Sequence, residues 1–146
     1  MHILESYALQ DNLKIDRPFI YEKYFPMAIE GKYITLDISA DSSSAKYDNW
    51  SMVVDFISPM LKQMGVTLVL LGDKDDMPIP GCYIALGQTD FNQKAYVIRD
   101  SALHITCNNL SLQIASHYNK NIVSLFSNCF YDQFKPYWSK KDEVGV

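Results

Sequence analysis

Four consecutive residues, Asn108-Asn109-Leu110-Ser111, open a predicted helix directly after a predicted strand. A helix that begins there offers free backbone N–H groups and the positive end of its dipole, and both suit a phosphate group. Asparagine and serine also cap helices without any ligand. The stretch therefore predicts either a phosphate site or a plain helix cap. The sequence has neither a Gly-x-Gly-x-x-Gly nor a Gly-Lys-Ser/Thr motif, so the common dinucleotide and P-loop fingerprints are absent.

Charged side chains stand in two other predicted loops. Lys46 ends a serine-rich loop just before the first long helix, where its side chain could reach an anionic ligand or remain solvated. Asp73, Asp75 and Asp76 could bind a metal ion or ribose hydroxyls. A solvated turn is the more common role of such a cluster, and we favour it.

No arrangement of residues predicts catalysis by this chain alone. There is no Gly-x-Ser-x-Gly elbow. His104 alternates within a predicted strand, which favours a packed or hydrogen-bonded side chain, and His117 lies late in a predicted helix, where a cation complements the dipole. Cys82, Cys107 and Cys129 lie far apart without Cys-x-x-Cys spacing. We therefore predict no metal site, no cofactor, and reduced thiols in a cytoplasmic protein.

Composition sets the broad class of protein. A chain of 146 residues with 48% hydrophobic and 21% charged residues is expected to form one globular domain. Its densest apolar run, residues 66–71, is far shorter than the roughly 18 residues that a membrane span needs. The N-terminus lacks the order of a signal peptide. The net charge of −4 argues against a nucleic-acid-binding surface.

Strand and helix patterns alternate along the chain. The helix after the first strand carries an inward-facing stripe of Trp50, Val53, Val54, Ile57, Leu61 and Met64. Strands joined by crossover helices pair in parallel, so we predict an α/β fold with one doubly wound, mainly parallel, five-stranded sheet. The predicted strands are residues 33–39, 66–71, 82–87, 103–107 and 121–126.

The alternation also predicts the organisation of the chain and the place of a ligand. We divide the chain into a lead-in segment (1–32), a Rossmann-like α/β domain (33–138) and a C-terminal tail (139–146). Ligands of such sheets bind outside the carboxyl ends of the strands. Here those ends are residues 39–46, 72–76, 87–90, 108–111 and 127–129.

Several short motifs occur in a fixed order from Ile34 to about Trp138. They are a strand that ends in Gly72, the turn Gly87-Gln88-Thr89, and the strand, Asn108-Asn109 turn, helix and strand that follow. Lys46 and Trp50 stand after the first strand. In this order the chain resembles the donor-binding, C-terminal half of GT-B glycosyltransferases, in particular the heptosyltransferase family (glycosyltransferase family 9).

The resemblance implies a sugar nucleotide that lies across the strand ends. Lys46 would approach a phosphate, and the backbone amides of Asn109 to Ser111 would hold the diphosphate. Gly72 and the Gln88-Thr89 turn would face the base and the ribose. Asn108 belongs to the same motif and completes the implied ligand-binding set.

The chain departs from the family's signature, Asp-Ser/Thr-Gly-x-x-His. The corresponding residues are Asn108-Asn109-Leu110-Ser111-Leu112-Gln113, in which Asn replaces Asp, Leu replaces Gly and Gln replaces His. Leu110 would hinder close approach of a phosphate to the backbone. The acceptor half, which supplies the catalytic base in the family, is not found within these 146 residues.

Three functions remain open, of which the third is a small stand-alone α/β enzyme of another class. The first is a glycosyltransferase-like domain that binds a nucleotide sugar or nucleoside diphosphate and is incomplete as an enzyme by itself. The second is a non-catalytic binding or protein-interaction module that has kept the half-fold. Either of the first two could work with a second chain or as a homodimer. Tyr131, Tyr137 and Trp138 could form an interaction face, since aromatic residues are enriched at interfaces, or could cover the sheet edge.

Overall fold

A single sheet of six parallel strands organises the chain. The computed structural model describes residues 1–118, 120–126, 130–139 and 144–145. The strands are β1 (Tyr33–Asp37), β2 (Thr67–Leu71), β3 (Tyr83–Ile84), β4 (His104–Cys107), β5 (Ile122–Leu125) and β6 (Val144–Gly145). They lie in the order β3-β2-β1-β4-β5-β6. The predicted α/β class and the parallel, doubly wound sheet of five strands are confirmed. β6 adds a two-residue strand beside β5 that the sequence pattern did not mark.

Helices join most of the strands. They are α1 (Ile3–Gln10), α2 (Trp50–Met64), α3 (Phe91–Asp100), α4 (Leu110–His117) and α5 (Tyr131–Phe134). Local sequence sets their ends. Asp90 caps α3 and forms a reciprocal capping box with Gln93, and Gly65 ends α2 with a φ of 66° that suits glycine. Asn109, rather than Asn108, caps α4.

Each face of the sheet is covered by helices, because alternate strand residues point to opposite faces. On one face Leu68 and Leu70 of β2 join Trp50 and Val54 of α2 in one hydrophobic core. On the other face, Val69 and Leu71 join a second core that contains residues of α3 and α4. Burial on both faces explains the continuous apolar run of β2.

One residue of the predicted inward stripe of α2 is misplaced. Met64 is 66% exposed, whereas Leu61 is buried in the core. At 3.6 residues per turn, Met64 lies about 60° around the helix from Leu61, so it leaves the face that the sheet covers. Leu110, at the first position of α4, is likewise 56% exposed.

Two predicted strands end earlier than their residue types suggest. β1 ends at Asp37 because the Asp37 carboxylate accepts a hydrogen bond from the Ser39 amide at 2.9 Å, which turns the chain. β3 is short because the chain bends at Gly87, which has a φ of 65° and donates its N–H to the Gly72 carbonyl at 2.9 Å. Both ends lie at the carboxyl edge of the sheet.

The strand order reverses at β1. From β1 the chain runs through α2 to β2 on one side, and after β3 it returns through α3 to β4 on the other side. The point of reversal between β1 and β4 is where ligands of doubly wound sheets bind, outside the carboxyl ends of the strands. Residues that follow these two strands, Ser39 and Asn109 among them, therefore border the expected crevice.

The lead-in segment contains a helix that its residue types did not predict. His2, an uncommon cap, accepts a hydrogen bond from the Leu4 amide, and the Glu5 carboxylate accepts one from the His2 amide. Most of the predicted tail lies outside the described residues, as do Cys129 and the rest of the predicted loop 127–129. Within the described part of the chain, no helix has the length and apolar character needed to cross a membrane.

Candidate functional site

A network of hydrogen-bonded, buried polar side chains, hereafter the polar network, lies beneath the point where the strand order reverses. Thr35 Oγ1 lies 2.7 Å from His104 Nδ1, and His104 Nε2 lies 3.0 Å from Ser111 Oγ. Ser111 donates to Asn109 Oδ1 at 2.7 Å. A neutral imidazole with its proton on Nε2 satisfies every one of these contacts, because it accepts from Thr35 and donates to Ser111. The prediction that His104 is packed or hydrogen-bonded is confirmed.

The polar network continues to the end of β1. Asn109 Nδ2 donates to the Ser39 carbonyl at 2.9 Å, and Ser39 Oγ donates to Asp37 Oδ1 at 2.6 Å. Asp37 Oδ2 then accepts from Lys94 Nζ of α3 at 3.0 Å. These contacts join β1, β4, α3 and α4 at the carboxyl edge of the sheet.

The environment of the polar network fixes the protonation states of Asp37 and His104 at neutral pH. Burial by itself would raise the pKa of Asp37, but the Lys94 ammonium and the Ser39 hydrogen bonds outweigh it, and the pKa is lowered. Burial lowers the pKa of His104 to about 4, with the opposing effect of Asp37 and the reinforcing effect of Lys94 smaller. Asp37 is therefore ionised and paired, and His104 is neutral.

These side chains serve structure rather than a ligand. His104 and Ser111 are almost wholly inaccessible, and the side-chain oxygen and nitrogen of Asn109 already have partners within the chain. Any ligand contact in this region would therefore use backbone groups or neighbouring loops. Sequence analysis singled out Asn109 and Ser111 but did not predict the polar network, which joins residues as far as 76 positions apart in sequence.

An open cavity of about 310 Å³ lies beside this region, between the loops that follow β1 and β2. Its size is at the lower end of the range for small-molecule sites. The wall combines one lysine, three carboxylates, two aromatic rings and several apolar groups. The lining residues are Ile38, Lys46, Tyr47, Asp48, Trp50, Ser51, Asp75, Asp76, Met77, Pro78, Ile79 and Pro80.

Trp50 lines the cavity and carries a hydrogen-bond donor that has no described partner. The residue is 5% exposed, and its indole Nε1 is buried without a hydrogen-bond partner among the described residues. Its ring packs edge-on against Tyr47, with centroids 4.9 Å apart. Buried indole N–H groups usually have a partner, because leaving one unmet costs free energy. An acceptor on a bound ligand would satisfy this donor.

Two glycines bring the acidic loop against the cavity. A Cβ on Gly72 would lie 2.7 Å from Asp76 Oδ2 and 3.1 Å from Ile38 Cγ1, so only glycine fits there without movement. The same Asp76 oxygen accepts from the Asp73 amide at 2.7 Å, which fixes the turn. A Cβ on Gly87 would lie 2.6 Å from the Lys74 backbone. The acidic cluster is therefore a hydrogen-bonded turn, two of whose carboxylates face a cavity.

The predicted site residues fall into three groups. Lys46 lines the cavity, and Gly72 packs behind its wall. Asn109 and Ser111 belong to the polar network. The third group lies on the same edge of the sheet but outside the cavity lining, and consists of Gln88, Thr89 and Asn108. Of these, Gln88 is exposed, and its side-chain amide donates a hydrogen bond to the Ile84 carbonyl at 3.4 Å. Trp50 and Tyr47 were missed as a pair, although an aromatic residue four positions after Lys46 was a usable signal.

The two described thiols offer no reactive chemistry. Burial raises the pKa of the Cys82 and Cys107 thiols to about 11, so both are protonated and inert at neutral pH. Across the described ranges, no three His, Cys, Asp or Glu residues are grouped so as to hold a metal ion. Tyr131, Tyr137 and Trp138 are half-buried and contact other rings: Tyr131 contacts Phe126, and Tyr137 contacts His2 and Trp138.

Comparison with solved structures places the fold among glycosyltransferases of family 9. The chain superposes on such an enzyme from Veillonella parvula with a TM-score of 0.64 at 15% identity, over 77% of this chain and 34% of that one. It superposes on Escherichia coli ADP-heptose heptosyltransferase II with a TM-score of 0.61 at 19% identity, over 96% and 42% of the two chains. For the dodecameric, iron-containing heptosyltransferase TibC of E. coli, solved with ADP-D-β-D-heptose, the TM-score is 0.61 at 15% identity, over 79% and 32%.

These similarities confirm the expected resemblance at the level of fold, a Rossmann-like half of a GT-B structure. The chain spans less than half the length of each of these structures. No family model matches the sequence, and no curated protein matches it.

Proposed function

We propose that this chain binds a nucleoside diphosphate or nucleotide sugar at the carboxyl edge of the sheet, with part of the ligand in the cavity between the loops after β1 and β2. The observation that carries the proposal is the wall of that cavity, which both Lys46 and Trp50 line, together with the indole N–H of Trp50, which has no hydrogen-bond partner among the described residues. A cation and a donor in one concave site suit a ligand that carries anionic and hydrogen-bond-accepting oxygens.

The charges of the cavity, Lys46 together with Asp48, Asp75 and Asp76, support a division of the proposed site into parts. Lys46 is the group that attracts phosphate. Asp75 and Asp76 accept hydrogen bonds and suit the hydroxyls of a ribose or sugar. The neighbouring Asp37 carboxylate does not oppose an anion, because Lys94 neutralises it. The ligand is thus phosphate at the Lys46 end and hydroxyl-rich toward the acidic loop.

The remaining predicted residues complete the proposed site from the same edge of the sheet. The backbone of Asn108, Asn109 and Ser111 at the start of α4 is assigned to the diphosphate. The turn at Gln88 and Thr89 is assigned to the base or ribose, with Gly72 positioning the adjoining loop. Support for this assignment comes from their common place after the strand ends of a family 9-like fold.

The chain is proposed to bind the donor without transferring it alone. The side chains of His104 and Ser111 are hydrogen-bonded to each other, and the two described thiols, Cys82 and Cys107, are protonated. Turnover would require groups from a second chain or from the remainder of a longer protein. We propose residues 33–138 as the binding domain and the cytoplasm as its location, the latter supported by the free thiols of Cys82 and Cys107.

Thermal unfolding with a panel of nucleoside diphosphates and nucleotide sugars tests this function. At about 1 mM ligand, a site with a dissociation constant of about 10 μM gains roughly 2.7 kcal/mol, which raises the melting temperature by several degrees. The shift should be lost in Lys46→Ala. It should survive in Lys32→Ala, because Lys32 is exposed and precedes β1 at the opposite edge of the sheet. A shift that persists in Lys46→Ala, or no shift with any ligand, contradicts the proposal.

A second candidate function is protein interaction. The observation that favours it is a row of exposed apolar side chains on α2, Met52, Phe56, Met60 and Met64, none of which lines the cavity. A chain that self-associates normally but shows no ligand-dependent shift would support this second function alone.

A further inference from the structure

The loop that carries Lys46, residues 38–49, is anchored near its start by the residue that caps α4. Asn109 Nδ2 donates a hydrogen bond to the Ser39 carbonyl at 2.9 Å. The amide and the hydroxyl of Ser39 both donate to Asp37 Oδ1, at 2.9 and 2.6 Å, which holds Ser39 against the end of β1. The start of this loop, hereafter the Lys46 loop, is therefore tied to β1 and to α4 at once.

The rest of the Lys46 loop is also held in place. Its middle forms a short 3₁₀ turn, Ser43–Ala45, and the Lys46 N–H donates to the Ser43 carbonyl at 3.4 Å. The backbone of the next residue, Tyr47, forms a hydrogen bond with the thiol of Cys107, the last residue of β4. Lys46 thus lies between two anchors, of which one is the end of β4 and the other is the cap of α4.

Capping of α4 explains only one half of the Asn109 side chain. Its Oδ1 accepts from the Leu112 N–H at 3.2 Å and from the Ser111 hydroxyl at 2.7 Å. A cap needs an oxygen acceptor, which serine and aspartate supply as well as asparagine does. The amide nitrogen is not needed for capping, yet it is directed at Ser39 in a residue that is buried. This nitrogen therefore serves the Lys46 loop rather than the helix.

We propose that Asn109 is a positioning residue, whose side-chain amide holds the Lys46 loop at a fixed distance from the start of α4. This inference rests on the proposed function, in which both Lys46 and the backbone at the start of α4 approach the phosphates. A ligand then meets two groups that are already in register, so the cost of ordering the loop on binding is smaller. Asn109 Nδ2 does not itself contact the ligand, because it acts through the carbonyl of Ser39.

Amide hydrogen exchange, followed by NMR without any ligand, tests the structural part of the inference. Asn109→Ser keeps a capping oxygen but lacks the amide that reaches Ser39, and Asn109→Asp keeps the shape of the side chain but has no donor at neutral pH. In both variants the amides of Lys46 and Tyr47 should exchange at least several-fold faster. Asp90→Ser, which alters the cap of a different helix, α3, is the matched control and should leave both rates unchanged. Unchanged exchange in both Asn109 variants overturns the inference, whether or not the chain binds a ligand.

Calorimetry over a range of salt concentrations tests the link to Lys46. The probe is whichever of ADP, CDP, GDP and UDP raises the melting temperature most. Asn109→Ser should bind it at least several-fold more weakly at low salt, and this difference should narrow as salt screens the attraction between Lys46 and the phosphates. An affinity equal to that of the original chain, or a loss that is the same at every salt concentration, overturns the inference. If the original chain binds none of the four, the proposed function fails and the positioning role fails with it, even where exchange is faster as expected.

Discussion

Lys94 Nζ lies 3.0 Å from Asp37 Oδ2, and this contact ties α3 to the carboxyl end of β1. The Asp37 side chain is 1% exposed and the Lys94 side chain 18% exposed, so the pair is largely removed from water. A buried pair of this kind adds little net stability, but the loss of one partner leaves an uncompensated charge. The pair therefore holds the end of β1 in place beneath the proposed ligand site and leaves no net charge there.

Asp37→Asn should lower the free energy of unfolding by roughly 3–5 kcal/mol, because Lys94 loses its counter-ion inside the protein. Urea denaturation measures the change. Asp132→Asn is the control, since Asp132 is 81% exposed and lies 3.5 Å from Lys135. That variant should cost less than about 1 kcal/mol. Equal costs in the two variants would contradict the structural role of the Asp37–Lys94 pair.

His104 should make stability fall as the solution is acidified. Its pKa is about 4 in the folded protein and near 6.5 in the unfolded chain, so the unfolded chain binds the proton first. Stability is therefore greatest above about pH 6.5 and falls by up to roughly 3 kcal/mol as the pH drops to about 4.

Urea denaturation at a series of pH values checks this dependence. His104→Gln should lower stability at pH 7, because the hydrogen bonds to Thr35 and Ser111 change, and should flatten the slope between pH 6.5 and 4. His117→Gln should keep most of the slope, since His117 is less deeply buried. A slope that His104→Gln leaves unchanged would show that other groups cause it.

Gly72→Ala should damage both stability and ligand binding. The added Cβ would lie 2.8 Å from Leu86 and 2.7 Å from the Asp76 carboxylate, which the Asp73 amide holds in place. Overpacking of this kind costs about 1–3 kcal/mol. Because Asp76 lines the cavity, nucleoside diphosphate affinity should fall as well, and calorimetry measures it.

Gly65→Ala is the control that separates the loss of stability from the loss of ligand binding. Gly65 has a φ of 66° and no neighbour within 4 Å of an added Cβ, so alanine there costs stability through backbone conformation alone. The affinity of the Gly65→Ala variant for nucleoside diphosphate should equal that of the original chain. If Gly72→Ala binds as tightly as the original chain, the acidic loop does not form part of the site.

The sheet was predictable because its signals are local. The continuous apolar run of β2 and the capping residue Asp90 identify a buried strand and a helix start within a few positions of sequence. The parallel order then follows from the crossover helices. By contrast, β6 has two residues and depends on pairing with β5, so no local periodicity marks it.

The site was only partly predictable because it depends on long-range contacts. The position of Lys46 between a strand and a helix was informative. The partners of His104 and Asp37 were not, since the residues that satisfy them lie as far as 69 and 57 positions away in sequence. The exposure of Met52, Phe56, Met60 and Met64 on α2 was not predictable either, because methionine and phenylalanine at helical spacing usually indicate a core.

The two indole N–H resonances of the chain, from Trp50 and Trp138, test the central claim most directly. A ¹⁵N-labelled sample is titrated with the nucleoside diphosphate that raises the melting temperature most, and Trp138→Phe assigns the two signals. We predict that the Trp50 signal moves and saturates as its N–H gains an acceptor, while the Trp138 signal stays in place. Saturable binding that leaves the Trp50 signal unmoved, or no movement with any nucleotide of the panel, would contradict the account.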